Sequence, residues 1–204
     1  MRKTPKEAAK TRLKVIDAAL KLFSQYGYSS TTLNMIASES GMSRGPIYWH
    51  FKNKDDLFEA VLAFSQEPLD QLIASAADDS QDPLDRLDAF VAGWLDLLIT
   101  NRRHRQSFEI LINKTELTQR LAATVKRERR LTRAIIDRFD ALIVAARAAG
   151  RLPDGELSDK LALQLYTYLM GITQTWLFSP RLFSLKDDAA FFHRQALATL
   201  YPRG

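Results

Sequence analysis

The chemistry in this sequence is concentrated in Leu33-Asn34-Met35-Ile36-Ala37-Ser38-Glu39-Ser40-Gly41-Met42-Ser43-Arg44-Gly45-Pro46-Ile47. Ala37 is small where two crossing helices would touch. Gly41 supplies the left-handed conformation that ends a helix in a tight turn. Ile47 then points back into a shared core. Two helices joined by a three-to-four-residue turn at a steep angle require this spacing. Ser43 is placed to cap the second helix, Ser43 to Phe51, whose first residues are left to face the bases or phosphates of a DNA major groove. Covalent and metal chemistry find no comparable constellation. There is no Gly-rich phosphate loop, no nucleophile with a base at recognisable spacing, and no cysteine. His50 has no second histidine or acid at ligand spacing, and His104 and His193 stand alone. The expectation is a non-enzyme with no metal and no cofactor.

The net charge of +5 is unevenly distributed: residues up to Lys54 carry +7 and the remainder −2. A basic head on a faintly acidic body implies that the head alone meets a polyanion. The runs Arg102-Arg103-His104-Arg105 and Lys126-Arg127-Glu128-Arg129-Arg130 read as solvated helix faces, partly paired with Glu109, Glu128 and Asp137, rather than as a second DNA site. At 204 residues and 46% apolar content the chain can bury a real core. No apolar run approaches the ~20 residues of a membrane span. The start, Met1 to Glu7, is charged and lacks the apolar centre of a signal peptide. A cytoplasmic location, with no membrane partner, is the default expectation.

Helix signals position these residues, and nothing reads as a strand. Thr4-Pro5-Lys6-Glu7 forms a start signal with a capping hydroxyl, a first-turn proline and a glutamate three residues after the cap. Val15, Ile16, Ala19, Leu20 and Phe23 follow at helical spacing, with Gly27 as the expected stop. Thr32 caps a short helix running to Ser40. Asn53 caps another that Pro68 should end or kink. After a polar loop at Ala77–Gln81, Asp82-Pro83 restarts a helix through Leu98. Further helices are expected over about Arg103–Asn113, Leu117–Ala149, Ser158–Phe178 and Ala189–Leu200. The Ser158–Phe178 helix is apolar on two faces, Leu161/Leu165/Leu169/Ile172/Trp176 and Tyr166/Met170/Thr173/Leu177. Such a helix needs cover on two sides, one from its own core and one from a second copy of the chain. The fold is therefore all-α, about nine helices, with a helix-turn-helix head (1–53) and a ligand-binding and dimerisation body (54–204).

The run Ser43-Arg44-Gly45-Pro46-Ile47-Tyr48-Trp49-His50-Phe51, followed by Lys52-Asn53-Lys54, resembles the signature of TetR-family transcriptional repressors. The resemblance is close over residues 8–58. It implies that Arg44 and Gly45 read base edges, joined by Tyr48. It also implies that Tyr48, His50 and Lys54 grip phosphates, alongside Thr32. For Trp49, packing is weighed ahead of DNA contact. Pro46 departs from the small residue, such as alanine, that the family carries there. Its amide is unpaired in any case, so the departure bears on base contact rather than on the helix. A homodimer on a palindromic double-stranded operator is expected, with recognition helices ~34 Å apart.

The body is similar to the AcrR and TtgR subgroup, which represses multidrug efflux genes, through Lys114-Thr115-Glu116-Leu117 and through Trp176-Leu177-Phe178-Ser179-Pro180 with Phe183-Ser184-Leu185. The resemblance implies a pocket for a small hydrophobic or amphipathic inducer. Its expected lining is Phe64, Leu87, Val91, Trp94, Phe108, Ile112, Ile135, Phe139, Tyr166, Met170 and Gln174, each of which reads equally well as core. Gln66, Glu67, Asp96 and Glu109 are polar groups that would favour cationic drugs. The inducer is expected to tilt the helix beginning at Lys54 and to move the heads out of register with the grooves. Two other readings compete: a TetR-type repressor of a metabolic or lipid pathway, and a non-specific architectural DNA protein, against which the large apolar body argues.

Overall fold

The computed structural model describes residues 4–201, and every regular element among them is helical. Helix α1 (Pro5–Ser30) starts as its sequence dictates. Glu7 N–H donates to Thr4 Oγ1 at 3.3 Å, and Thr4 N–H donates to Glu7 Oε2 at 2.8 Å, closing the capping box. Gly27 does not stop the helix. It interrupts it with φ 77° and ψ 168°, after which the helix resumes to Ser30. Helix α2 (Leu33–Glu39) is capped by Thr32, whose hydroxyl accepts from Met35 N–H at 3.2 Å. Gly41 then turns the chain at φ 66°, with Met42 N–H donating to Ala37 carbonyl at 2.9 Å and Gly41 N–H to Ser38 carbonyl at 3.1 Å. No atom lies within 4 Å of where a Gly41 Cβ would sit, so the turn requires glycine for its φ, not for space.

Helix α3 (Arg44–His50) crosses α1 and α2. Val15, Ile16, Phe23, Ile36, Ile47, Phe51 and Phe58 join in one core, with the Phe23 and Phe58 rings edge-to-face at 5.2 Å. At about 1.5–3 kcal/mol for each fully buried large apolar side chain, this core is enough to fix the angle between α2 and α3.

Helix α4 (Lys54–Ser75) is capped by Asn53, whose side-chain oxygen accepts from Asp56 N–H at 2.8 Å. It runs on through Pro68, which forgoes only the bond to the Phe64 carbonyl. The chain nevertheless changes allegiance there. One compact unit comprises residues up to Glu67 with Arg103–Val125, and the other comprises Pro68–Arg102 with the residues from Lys126 onward. The expected head therefore lies inside a larger first unit, together with the first turns of α4, nearly all of α6 (Arg102–Asn113) and the start of α7 (Ala122–Ala148). Helix α7 begins later than Leu117, because Thr118 is extended (φ −81°, ψ 174°) and a 3-10 turn at Gln119–Leu121 intervenes.

The second unit holds α5 (Pro83–Thr100), α8 (Ser158–Phe178), α9 (Leu185–Ala198), most of α7 and the end of α4. Helix α9 begins a turn before Ala189, because Ser184 accepts from Asp187 N–H at 3.2 Å and places Asp187 and Asp188 in the first turn. Both apolar rows of α8 are covered from within this unit. Leu161, Leu165, Leu169, Ile172 and Thr173 are buried and Tyr166 and Met170 half-buried, because α5 and α9 pack on the helix and Tyr166 bonds to Thr132 of α7. The outward row is a third one, with Leu163, Gln164, Thr167, Gly171, Gln174 and Phe178. The second copy expected over the Tyr166/Met170 row is thus not needed there.

Candidate nucleic-acid interface

Helix α3 buries Ile47 and turns the rest of itself outward. Arg44 and Gly45 are exposed, Tyr48 is 55% and Trp49 72% exposed, and Pro46 and His50 are half-buried. Trp49, weighed as packing from sequence, stands in solvent, with the His50 ring set perpendicular to its own at 4.5 Å between centroids. Gly45 has no positive φ, and nothing lies within 4 Å of its missing Cβ. The fold therefore does not demand glycine at this position, although glycine weakens a helix.

Ser43 has extended capping backbone (φ −75°, ψ 169°), yet its side chain makes no capping bond. The hydroxyls of Thr4, Thr32 and Ser184 all accept from the third residue of their helix. At α3 that residue is Pro46, which has no N–H to give. Thr32, also exposed, uses an oxygen lone pair in its cap and keeps its hydroxyl proton as a donor. Lys52, outside the expected set, is exposed between α3 and α4, while its backbone N–H donates to Asp56 at 2.9 Å. Its signal in the sequence was a lone cation between two helices.

Lys54 has a task that sequence reasoning missed. Its ammonium donates to the carbonyls of Tyr28 at 2.9 Å, Ser29 at 3.3 Å and Thr31 at 2.9 Å, and it lies 4.3 Å from the Tyr28 ring centroid. It closes the end of α1, whose last carbonyls have no helical partner. Burial lowers its pKa from the usual lysine value and nearby Arg120 adds to this, against Asp55. The Tyr28 hydroxyl donates to Asp55, and Arg120 Nε reaches the same carboxylate at 3.2 Å. Burial, then the Asp55 bond, raises the Tyr28 pKa and keeps the phenol protonated.

The eleven residues expected to line a ligand pocket divide between the two units. Phe64, Phe108 and Ile112 belong to the first, where the Arg103 guanidinium lies 5.2 Å from the Phe64 ring and Phe108 meets the His104 ring at 5.1 Å. The second holds the other eight. Leu87, Val91, Trp94, Ile135 and Phe139 are buried there, and Trp94 Nε1–H donates to Thr173 at 3.0 Å. The Tyr166 and Trp94 rings are 6.4 Å apart. Gln174 is exposed on the outward row of α8, apart from the five buried and two half-buried residues. A cavity of 730 Å³ opens in this unit, lined by Tyr168 of α8, Phe191 of α9 and Tyr201 together with Arg147 of α7 and Glu156. None of the eleven lines it.

Residues 15–61 match the model of bacterial regulatory proteins of the tetR family, and residues 82–201 match the C-terminal region of MAATS-type transcriptional repressors. The chain is 36% identical to the HTH-type transcriptional regulator AcrR of Shigella flexneri, over 92% of this chain and 88% of that protein. Its structure resembles that of NalD, the secondary repressor of the MexAB-OprM multidrug efflux pump in Pseudomonas aeruginosa. The TM-score is 0.84 at 29% identity, covering 98% of this chain and 100% of that one. It also resembles SmeT in a triclosan complex, with a TM-score of 0.81 at 26% identity over 96% of this chain and 93% of that one. The helix-turn-helix that Ala37, Gly41 and Ile47 set up is thus the DNA-binding region of a known group, and the chain belongs to the TetR family of bacterial transcriptional regulators.

Proposed function

We propose that this protein is a cytoplasmic, homodimeric repressor of a multidrug efflux operon, released from a palindromic operator by small hydrophobic or amphipathic compounds. Residues 1–53 read DNA, and residues 54–204 sense the ligand and dimerise. The observation that carries the reading is the outward face of α3. Arg44, Gly45, Tyr48 and Trp49 stand in solvent on a helix anchored by buried Ile47 and by Phe51 just past its end. Exposed aromatic rings beside an arginine on a seven-residue helix gain nothing for a monomer in water. They suit a surface that meets base edges and phosphates. Arg44, Gly45 and Tyr48 read, with Trp49 and Pro46 at their side, while Ser43, Thr32 and His50 hold the backbone. Lys54 fixes α1 beneath them.

The efflux assignment is supported by NalD, a repressor of a multidrug efflux pump, and by SmeT, whose complex with triclosan shows a repressor of similar fold holding a small aromatic compound. The aromatic group of buried Trp94 and Phe139 with half-buried Tyr166, together with Leu87, Val91, Ile135 and Met170, is the proposed inducer site within the second unit. Phe64, Phe108 and Ile112 lie in the first unit and stay candidates on the resemblance alone. This lining is apolar with few polar atoms, as drug-sized sites are.

The test is fluorescence anisotropy with DNA taken from upstream of the chain's own gene and of adjacent transporter genes. Sequence-specific binding is expected, with the logarithm of affinity falling linearly against the logarithm of salt by about 0.9 for each phosphate neutralised. Addition of triclosan is expected to release the DNA. Salt-independent binding, or equal affinity for unrelated duplexes, would falsify the reading.

A further inference from the structure

Lys114 opens the motif Lys114-Thr115-Glu116-Leu117, and its position in the fold is not explained by ligand binding or by DNA contact. It lies just past the end of α6, with its N–H donating to the Ile110 carbonyl at 3.1 Å. Its carbonyl and its ammonium both reach α1. Tyr28 N–H donates to the Lys114 carbonyl at 3.2 Å, and the Lys114 ammonium donates to the Ser24 carbonyl. In an unbroken helix Tyr28 N–H would bond to that same Ser24 carbonyl, four residues back. The left-handed Gly27 separates the two, and Lys114 accepts from one and donates to the other. One residue thereby replaces the lost helical bond from both of its ends.

The site is shaped for this substitution. A Cβ on Gly27 would lie 3.0 Å from the Lys114 carbonyl oxygen, so both φ and space exclude a side chain there. Glu109 holds the ammonium from the α6 side at 2.6 Å. Two further contacts lay α6 along α1: Arg103 with Asp17 at 3.0 Å and Gln106 with Ser24 at 3.4 Å. Beyond the break, the last turn of α1 is tied to α4 through Lys54 and Asp55, and Arg120 from the 3-10 turn holds Asp55. The segment that leads into α2 and α3 is therefore fixed by α6 and α4 together.

We propose that Lys114 is a positioning residue for DNA reading, setting the direction in which α2 and α3 leave α1 and hence where each recognition helix meets its groove. This rests on the two-headed operator reading proposed above. Because the ammonium bridges a break in α1 and fills no part of the apolar core, removing it frees the bend while the packing of Phe23, Tyr28, Phe58 and Ile110 stays in place.

The experiment measures affinity for operators whose half-sites are moved together or apart by one and two base pairs, using the full-length chain and its Lys114→Met and Lys114→Arg variants. Lys114→Met is expected to lose at least tenfold at the spacing the unaltered chain prefers and much less at the others, flattening or shifting the preference. Lys114→Arg, which keeps a donor, is expected to restore most of it. An equal loss at every spacing, or no loss, overturns the proposal. Should Lys114→Met not fold, hydrogen exchange at the Tyr28 amide of the unaltered chain decides instead. Protection comparable to amides inside α1 supports the proposal, and exchange at the rate of an open amide overturns it. If the unaltered chain prefers no DNA sequence, it is the operator reading that fails, and the Tyr28 amide still judges the strap.

Discussion

Three neighbouring residues of the reading helix separate folding from recognition. Gly45 serves no conformational need of its own. Gly45→Ala is therefore expected to stabilise the protein by up to about 1 kcal/mol, while its methyl keeps the backbone off the DNA and lowers operator affinity. Thermal unfolding and anisotropy on the same sample check both signs, and a variant that loses stability as well as affinity contradicts the assignment. Pro46 and Ser43 form a linked pair. Pro46→Ala returns an N–H to the third helical position, so the Ser43 hydroxyl turns inward to cap α3. A gain of about 1 kcal/mol is expected, and it should vanish in the Ser43→Ala background. If the gain persists without Ser43, the hydroxyl was not the recipient. Lys54 behaves otherwise. Its three carbonyl bonds make Lys54→Met destabilising by about 2 kcal/mol in urea unfolding. Tyr48→Ala, at an exposed side chain, is expected to weaken DNA binding with stability changed by less than about 0.5 kcal/mol.

At the scale of the element, α6 carries a buried titratable group. His104 is 1% exposed, and burial, opposed in part by a hydrogen bond to the Ser65 backbone, lowers its pKa from 6.5 to about 4. Above pH 6.5 the imidazole is neutral whether the chain is folded or not, and its contribution to stability is complete. Between pH 6.5 and about 4 the unfolded chain takes up a proton that the folded chain refuses, so stability falls with pH, by on the order of 3 kcal/mol in all. His104→Gln should flatten that interval in a urea series, and an unchanged slope would assign the pH dependence to other groups. What the sequence discloses about such elements depends on range. Thr4, Thr32, Asn53 and Asp82 were legible as helix starts because a cap bonds within three residues of itself. Gly41 was legible because its turn is equally local. Gly27 was read as a stop, since the group that bridges its break lies ninety residues away. The two rows of α8 were visible as apolar, but that both are covered and a third row faces outward depended on how α5, α7 and α9 pack on the helix, which no local pattern records. The recognition helix was legible as a signature. Ser43's uncapped hydroxyl was not, although Pro46 was its signal.

For the whole molecule, the proposed homodimer makes the outward face of α8 and α9 the place that decides whether one reading head or two meet the operator. Phe178 is 77% exposed, Leu182 70%, Phe191 50% and Leu163 46%, and the 730 Å³ cavity lined by Tyr168, Phe191 and Tyr201 opens on the same helices. Exposed large apolar side chains on two neighbouring helices and the loop between them suit a surface that meets a partner. In the proposed homodimer a second copy of the chain covers it with one symmetric contact, which also gives the two-fold arrangement that the proposed palindromic operator requires. Phe178→Glu combined with Phe191→Glu places like charges across that contact without touching the buried rows of α8. The double variant is expected to keep its helical circular dichroism and to sediment as a monomer. It should lose on the order of a hundredfold or more in affinity for the full operator, because the second head no longer binds as part of the same particle. Its affinity for a single half-site should match that of the unaltered protein. If the variant still sediments as a dimer, the copies meet elsewhere. If it is a monomer that binds the full operator undiminished, the heads read DNA singly and the symmetric operator has to be given up.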